Sequence, residues 1–132
     1  MALEVHVVTP EREVWQGEAT LLIARGTEGE VGIMSGHAPM LIRLAVGPLR
    51  IQHSGGEEQA AVDGGFMHVT SAEDKTRVDV LASQGQMASE IDPEEARRRK
   101  EEAERRLEEA GDDESARAEL ARADVRLGIA AG

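Results

Sequence analysis

Apolar and polar positions change their rhythm once along this chain. Leu3-Glu4-Val5-His6-Val7-Val8 alternates with period two, as a half-buried strand does. Thr9-Pro10-Glu11-Arg12 breaks the run with turn residues. Glu13–Glu18 predicts a short second strand bent at Gly17. Ala19–Ala24 is a more continuous apolar run, closed by an Arg25-Gly26 turn. Further strands are predicted near Met40–Ala45, over Leu49–His53, Gln59–Val62, Phe66–Thr70 and Thr76–Leu81. Val46-Gly47-Pro48, Ser54-Gly55-Gly56-Glu57, Asp63-Gly64-Gly65 and Ala72-Glu73-Asp74-Lys75 read as the intervening turns, two of them with hairpin chemistry. Short strands at this spacing predict a β-sandwich or barrel.

Beyond Ala88 the period lengthens. Asp92-Pro93-Glu94-Glu95 predicts a helix start: Asp92 as N-cap, Pro93 at the first position and Glu95 at the capping-box position. The helix is expected to reach Ala110, with a thin apolar face of Ala96, Ala103, Leu107 and Ala110. Gly111-Asp112-Asp113 stops it and caps the next. Ala116, Leu120, Ala123 and Leu127 form a second stripe, expected to end at Gly128. Two helices so joined predict an antiparallel hairpin. Alanine stripes bury little area, so the hairpin is expected to be weakly held and able to detach.

Composition sharpens this division. Residues 1–88 hold 11 of the 14 glycines, and residues 89–132 hold 14 of the 26 acidic side chains. Trp15 and Phe66 are the only aromatics, so the core must come from Val, Ile, Leu, Met and Ala. There is no cysteine, which suits a reducing compartment. The net charge of −11 argues against nucleic acid and anionic lipid as partners. The opening MALEVHVV has no basic-then-apolar leader pattern, and no run approaches the length of a membrane span, so membrane association is expected through a partner.

No enzyme site is legible. His6, His37, His53 and His68 lack metal-ligand spacing, and neither Ser35 nor Ser54 has a nucleophile context. The glycines at 26, 29, 32 and 36 lack the GK[ST] ending of a phosphate loop. Arg97-Arg98-Arg99-Lys100 is flanked by glutamates and reads as a solvated face. Arg122 and Arg126 are like charges one turn apart, which suits an acidic partner as well as a bare surface.

The densest local signal is Glu28–Leu41, EGEVGIMSGHAPML. Three glycines in eight residues and the closing Ala38-Pro39 give a loop of fixed shape rather than a linker. GTEGEVGIMSGHAPML resembles the signature loop of the epsilon subunit of bacterial-type F-type ATP synthases. Val7-Val8-Thr9-Pro10-Glu11 is similar to that family's opening strand and turn. Val46-Gly47-Pro48-Leu49-Arg50-Ile51 is similar to its Pro-Gly-x-Leu-Arg-Ile stretch, with Gly and Pro exchanged. Val62-Asp63-Gly64-Gly65-Phe66 resembles its Gly-Gly-Phe hairpin.

The resemblance implies a ten-stranded β-sandwich over residues 1–88, followed by an antiparallel two-helix hairpin over residues 89–132. It implies a non-catalytic rotor subunit with no cofactor or metal, on the cytoplasmic face of the cell membrane. The implied partners are the gamma subunit, the c-subunit ring and, when the hairpin extends, the catalytic beta and alpha subunits. Ring contact falls on Thr9, Pro10, Glu30 and His37. Contact of the extended hairpin with beta, which restrains ATP hydrolysis, falls on Arg117, Arg122 and Arg126. Some members bind ATP through an I/L-D-x-x-R-A motif. Ile91-Asp92-Pro93-Glu94-Glu95-Ala96 has Glu95 where that motif has Arg, and a frame using Arg97 puts Pro93 and Glu94 at the Ile and Asp positions. The resemblance therefore does not carry an ATP site onto Ile91, Asp92 and Arg97. Two other classes compete: a freestanding sandwich that binds a small ligand, disfavoured by the scarcity of aromatics, and an enzyme, disfavoured by the absent site.

Overall fold

The computed structural model describes residues 2–132; Met1, at the start of the expected first domain, lies outside the described residues. Eight strands form β1 (Leu3–Val8), β2 (Glu13–Ala19), β3 (Leu21–Gly26), β4 (Gly29–Ile33), β5 (Met40–His53), β6 (Gly56–Ala72), β7 (Lys75–Ala82) and β8 (Gly85–Met87). One 3-10 turn, Ala88–Glu90, leads into helices α1 (Pro93–Ala110) and α2 (Glu114–Ala131). Strand order is β2-β1-β7-β6-β5-β3-β4, with β8 paired to β6. Most pairs are antiparallel; β1 runs parallel to β7, with Leu3 beside Thr76 and Val8 beside Leu81.

The expected ten strands are eight, because two expected turns lie inside strands. Asp63-Gly64-Gly65 does not reverse the chain: β6 passes straight through it, paired to β5 on both sides. Val46-Gly47-Pro48 likewise lies within β5. Both strands bend there, and the alternation of buried residues changes phase. Leu44 points into the core before the bend in β5, and Leu49 and Ile51 after it. In β6 the inward residues are Ala60 and Val62 before the bend, then Met67 and Val69. The ladder lapses between Leu44↔Gly65 and Val46↔Asp63, and Gly64 and Gly65 carry φ of 85° and 120°. Glycine chemistry that would suit a hairpin here serves a bend, which lets each long strand contribute to both layers. Pro48 is tolerated in mid-strand because β3 leaves β5 unpaired between Arg50 and Leu44.

The signature stretch also differs from a continuous loop. Gly29–Ile33 is a strand, returning antiparallel along β3 after the Gly26–Gly29 turn. The loop proper is Met34–Pro39. The Glu73-Asp74 turn between β6 and β7 has both residues at positive φ, the geometry of a tight two-residue hairpin.

The core is aliphatic, from Leu3, Val5, Val7, Leu22, Ile33, Leu49, Ile51, Met67, Val69, Val78 and Val80. Helix α1 starts as expected: Asp92 accepts from the backbone N–H of Glu94 and Glu95. Glu95 does not complete the box; its carboxylate takes Arg99 instead. Ala96 and Ala103 of α1 are buried, as are Ala116 and Ala123 of α2. Lys100 and Asp124 bridge the two helices at 3.0 Å. Helix α2 continues past Gly128 to Ala131, because Ile129 is anchored against the sandwich and one interior glycine costs only about 1 kcal/mol.

Two glycines make opposite predictions. A Cβ on Gly65 would lie 2.1 Å from the Leu81 carbonyl oxygen, at a φ of 120°. Gly65→Ala should cost roughly 3 kcal/mol or more. A Cβ on Gly128 meets nothing within 4 Å. Gly128→Ala should stabilise the hairpin by about 0.5–1 kcal/mol. Urea unfolding of both variants checks the pair.

Candidate functional site

The bend at Gly64–Gly65 sets which face each neighbouring side chain takes. Just before it, Ala60 and Val62 enter the core, so Ala61 and Asp63 face outward. Helix α2 covers that outward face. Ala61 packs with Ile91, Ile129 and the half-buried Val125. Beside this small cluster, Arg126 meets Asp63 end-on: Nη1 donates to Oδ1 at 2.9 Å and Nη2 to Oδ2 at 2.8 Å. The Asp63 side chain is 2% exposed and that of Arg126 14%. Arg126 Nε donates to Gln86 Oε1 at 2.8 Å, and Nη1 also reaches the Arg122 carbonyl. The guanidinium is thus held on every side.

Removing one partner of such a buried pair typically costs about 3–5 kcal/mol. The apolar contact beneath it rests on Ile91, Ile129 and Val125, each worth only about 1.5–3 kcal/mol when fully buried. The pair and the apolar cluster are therefore comparable in size, and the hairpin depends on both.

Next to the pair lies a cleft of about 470 Å3, between α1, α2 and the β1–β2 turn. Arg12, Arg99, Arg122 and Arg126 line it. Arg12 Nη2 donates to Glu90 Oε1 at 2.9 Å and reaches the Gly85 carbonyl at 3.4 Å. Glu90 Oε1 also accepts from the Met87 backbone N–H. The hydrogen bond from Arg12, then that from Met87, holds the Glu90 carboxyl below its ordinary value of 4.5. Arg122 pairs with Glu119 at 2.7 Å.

The structure separates residues that the sequence grouped. Thr9 is buried, and its hydroxyl and backbone bond Arg12. It follows Val8, beside Leu81, at the hairpin end of the sandwich. His37 lies at the other end of β1. Gly36 N–H donates to Thr76 Oγ1 at 2.8 Å, Ser71 Oγ donates to the His37 carbonyl at 2.9 Å, and Thr76 is beside Leu3. Five strand positions, about 16 Å, lie between the two ends. Thr9 and Pro10 therefore do not share one end with His37, because β1 and β7 run parallel and carry their turns apart. Glu30 is the second residue of β4, opposite Arg25 in the ladder. His37 Nδ1 is bonded to the Ala38 carbonyl.

Among the candidate arginines, Arg122 and Arg126 come together at the cleft, and Arg117 pairs with Asp112 near the start of α2. Ile91 and Asp92 line the cleft; Arg97 pairs with Glu94 instead. Sequence reasoning did not single out Asp63 or Glu90. The available signal for Asp63 was an acidic residue ending the apolar run Ala60-Ala61-Val62.

Two family models match the chain in succession. The family described as ATP synthase, Delta/Epsilon chain, beta-sandwich domain matches residues 2–88, and its long alpha-helix domain matches residues 89–131. This chain belongs to the ATP synthase delta/epsilon chain family. The ATP synthase epsilon chain of Streptomyces coelicolor is 47% identical over 135 residues, covering 100% of this chain and 99% of its own. That of Thermobifida fusca is 48% identical, covering 95% and 89%. Among solved structures, a chain of the Euglena gracilis mitochondrial ATP synthase OSCP/F1/c-ring assembly matches with a TM-score of 0.76 at 27% identity, over 98% of this chain and 81% of that one. A chain of the Tetrahymena thermophila mitochondrial central stalk and c-ring shares the fold, with a TM-score of 0.55 at 17% identity. As a family member the chain is a non-catalytic subunit of an ATP synthase.

The Arg12–Glu90 pair makes a pH prediction. Because the Glu90 carboxyl is lowered in the folded protein, its stabilisation is complete above the ordinary glutamate range and is lost as pH falls through the folded value. Glu90→Gln should remove that part of the acid destabilisation and leave neutral-to-alkaline behaviour flat, as read by urea unfolding across pH.

Proposed function

We propose that this chain is a rotor subunit of the central stalk, coupling proton flow through a c-subunit ring to ATP synthesis. Its C-terminal hairpin restrains ATP hydrolysis. In this reading the sandwich binds the gamma subunit and the ring, and the released hairpin reaches the catalytic beta and alpha subunits. The complex lies on the cytoplasmic face of the cell membrane, with this chain held there by its partners. No helix among the described residues is long and apolar enough to cross a membrane.

The observation that carries the reading is the contrast between the two ends of the sandwich. At one end, two hydrogen bonds from neighbouring strands tie the Met34–Pro39 loop. A rigid loop suits a surface that transmits torque, and Glu30 and His37 are the proposed ring-facing residues. At the other end, the hairpin is held by a small cluster and one ion pair. That suits an element whose position partners can shift, since only a modest free-energy gap responds to binding. Arg117, Arg122 and Arg126 are the proposed contacts to an acidic surface of beta. Thr9 and Pro10 belong to the hairpin end and leave the ring-facing set.

A tagged copy extracted gently from native membranes should recover gamma, alpha and beta; recovery of the chain alone would overturn the reading. Ending the chain after Ala88 should leave gamma binding intact and raise ATP hydrolysis by the complex. Ser71→Ala with Thr76→Val should loosen the loop by about 1 kcal/mol per lost bond. ATP-driven proton pumping should then fall more than ATP hydrolysis does.

A further inference from the structure

All four arginines of the cleft are already matched by carboxylates of this chain. Arg126 holds Asp63, Arg122 holds Glu119, Arg99 holds Glu95 and Arg12 holds Glu90. These pairs divide by where they sit. Arg122–Glu119 and Arg99–Glu95 each lie within one helix and travel with it. Arg12–Glu90 lies wholly before the helix start at Asp92. Among the described ion pairs, Asp63–Arg126 alone joins sandwich to hairpin.

We infer that Asp63–Arg126 is a latch that holds the hairpin docked without any anionic ligand. The carboxylate supplied from β6 takes the bidentate place on Arg126 that a phosphate or an external carboxylate would need. The latch is conditional. With Arg126 engaged, Asp63 is neutralised where water scarcely reaches it. With Arg126 gone, the docked form would bury a lone carboxylate, so the hairpin releases. One guanidinium cannot hold Asp63 and an acidic partner at once. Docking and partner contact through Arg126 are therefore mutually exclusive, a consequence that rests on the rotor reading; the latch itself does not.

The chain has no cysteine, so two introduced ones report alone. Spin labels on Ser54→Cys, in the β5–β6 turn, and Ala121→Cys, on the exposed side of α2, give the sandwich–hairpin distance in the full chain by pulsed electron resonance. The otherwise unsubstituted chain should show one short distance in the absence of nucleotide, unchanged by Mg-ATP. Asp63→Asn and Arg126→Gln should each raise the long-distance fraction at least about tenfold. Arg126→Gln, which leaves the sandwich unsubstituted, carries the test if Asp63→Asn does not fold. A short distance retained in the variants overturns the latch, as does a parent chain that docks only after Mg-ATP is added. In the assembled synthase, Asp63→Asn should lower ATP hydrolysis by freeing the hairpin. Labels that separate while hydrolysis is unchanged would uphold the latch and sink the inhibitory role of the hairpin.

Discussion

The bend at Gly64–Gly65 is the constraint on which the two ends of this molecule depend. Positive φ at both glycines, with the Leu81 backbone pressed where a Cβ would be, lets β6 cross from one layer to the other without breaking. The crossing shifts the phase of the strand. Before it, even-numbered residues face the core; after it, odd-numbered ones do. Asp63 is left on the outward face, where it would be an ordinary surface carboxylate were α2 not lying over it. The sandwich's most conspicuous backbone feature thus also sets up the polar anchor of the hairpin.

Charge and packing divide the labour between the two ends. The Met34–Pro39 loop is tied by two neutral hydrogen bonds, one donated by Ser71 and one accepted by Thr76, side chains of two strands that are themselves locked into the sheet. Such ties do not depend on a distant partner. The hairpin attachment is of another kind, with little apolar area and a buried pair that holds only if both members are present. Hydrophobic contact gives the hairpin somewhere to rest, and the ion pair makes that rest conditional. The helices hold each other through small alanine contacts and Lys100–Asp124, so the hairpin can move as one piece.

Much of this was legible along the chain. The change of period near Ala88, the Asp92-Pro93 helix start and the Ser54–Gly56 hairpin all lie where local chemistry put them. The misreadings came from glycine. Asp63-Gly64-Gly65 and Val46-Gly47-Pro48 carry turn chemistry, and the same positive φ, or the same lack of an N–H, serves a bend inside a strand just as well. Which use is made depends on whether neighbouring strands continue past the site. Gly128 misled in the other direction: a residue that weakens a helix did not end one, because Ile129 beyond it is pinned to Ala61 and Ile91.

The sequence by itself determined the class of the protein, its division near residue 88, the caps of α1 and the weakness of an alanine-rich hairpin, because these follow from residues close together in the chain. Tertiary structure alone decided that β1 lies parallel to β7, which separates Thr9-Pro10 from His37. It alone decided that Arg126 finds Asp63, 63 positions away. Strand partners and ion-pair partners are chosen by how layers stack and which way a bent strand turns its side chains. No local pattern encodes that choice, since the same Asp and Arg would be unremarked surface charges in any other packing.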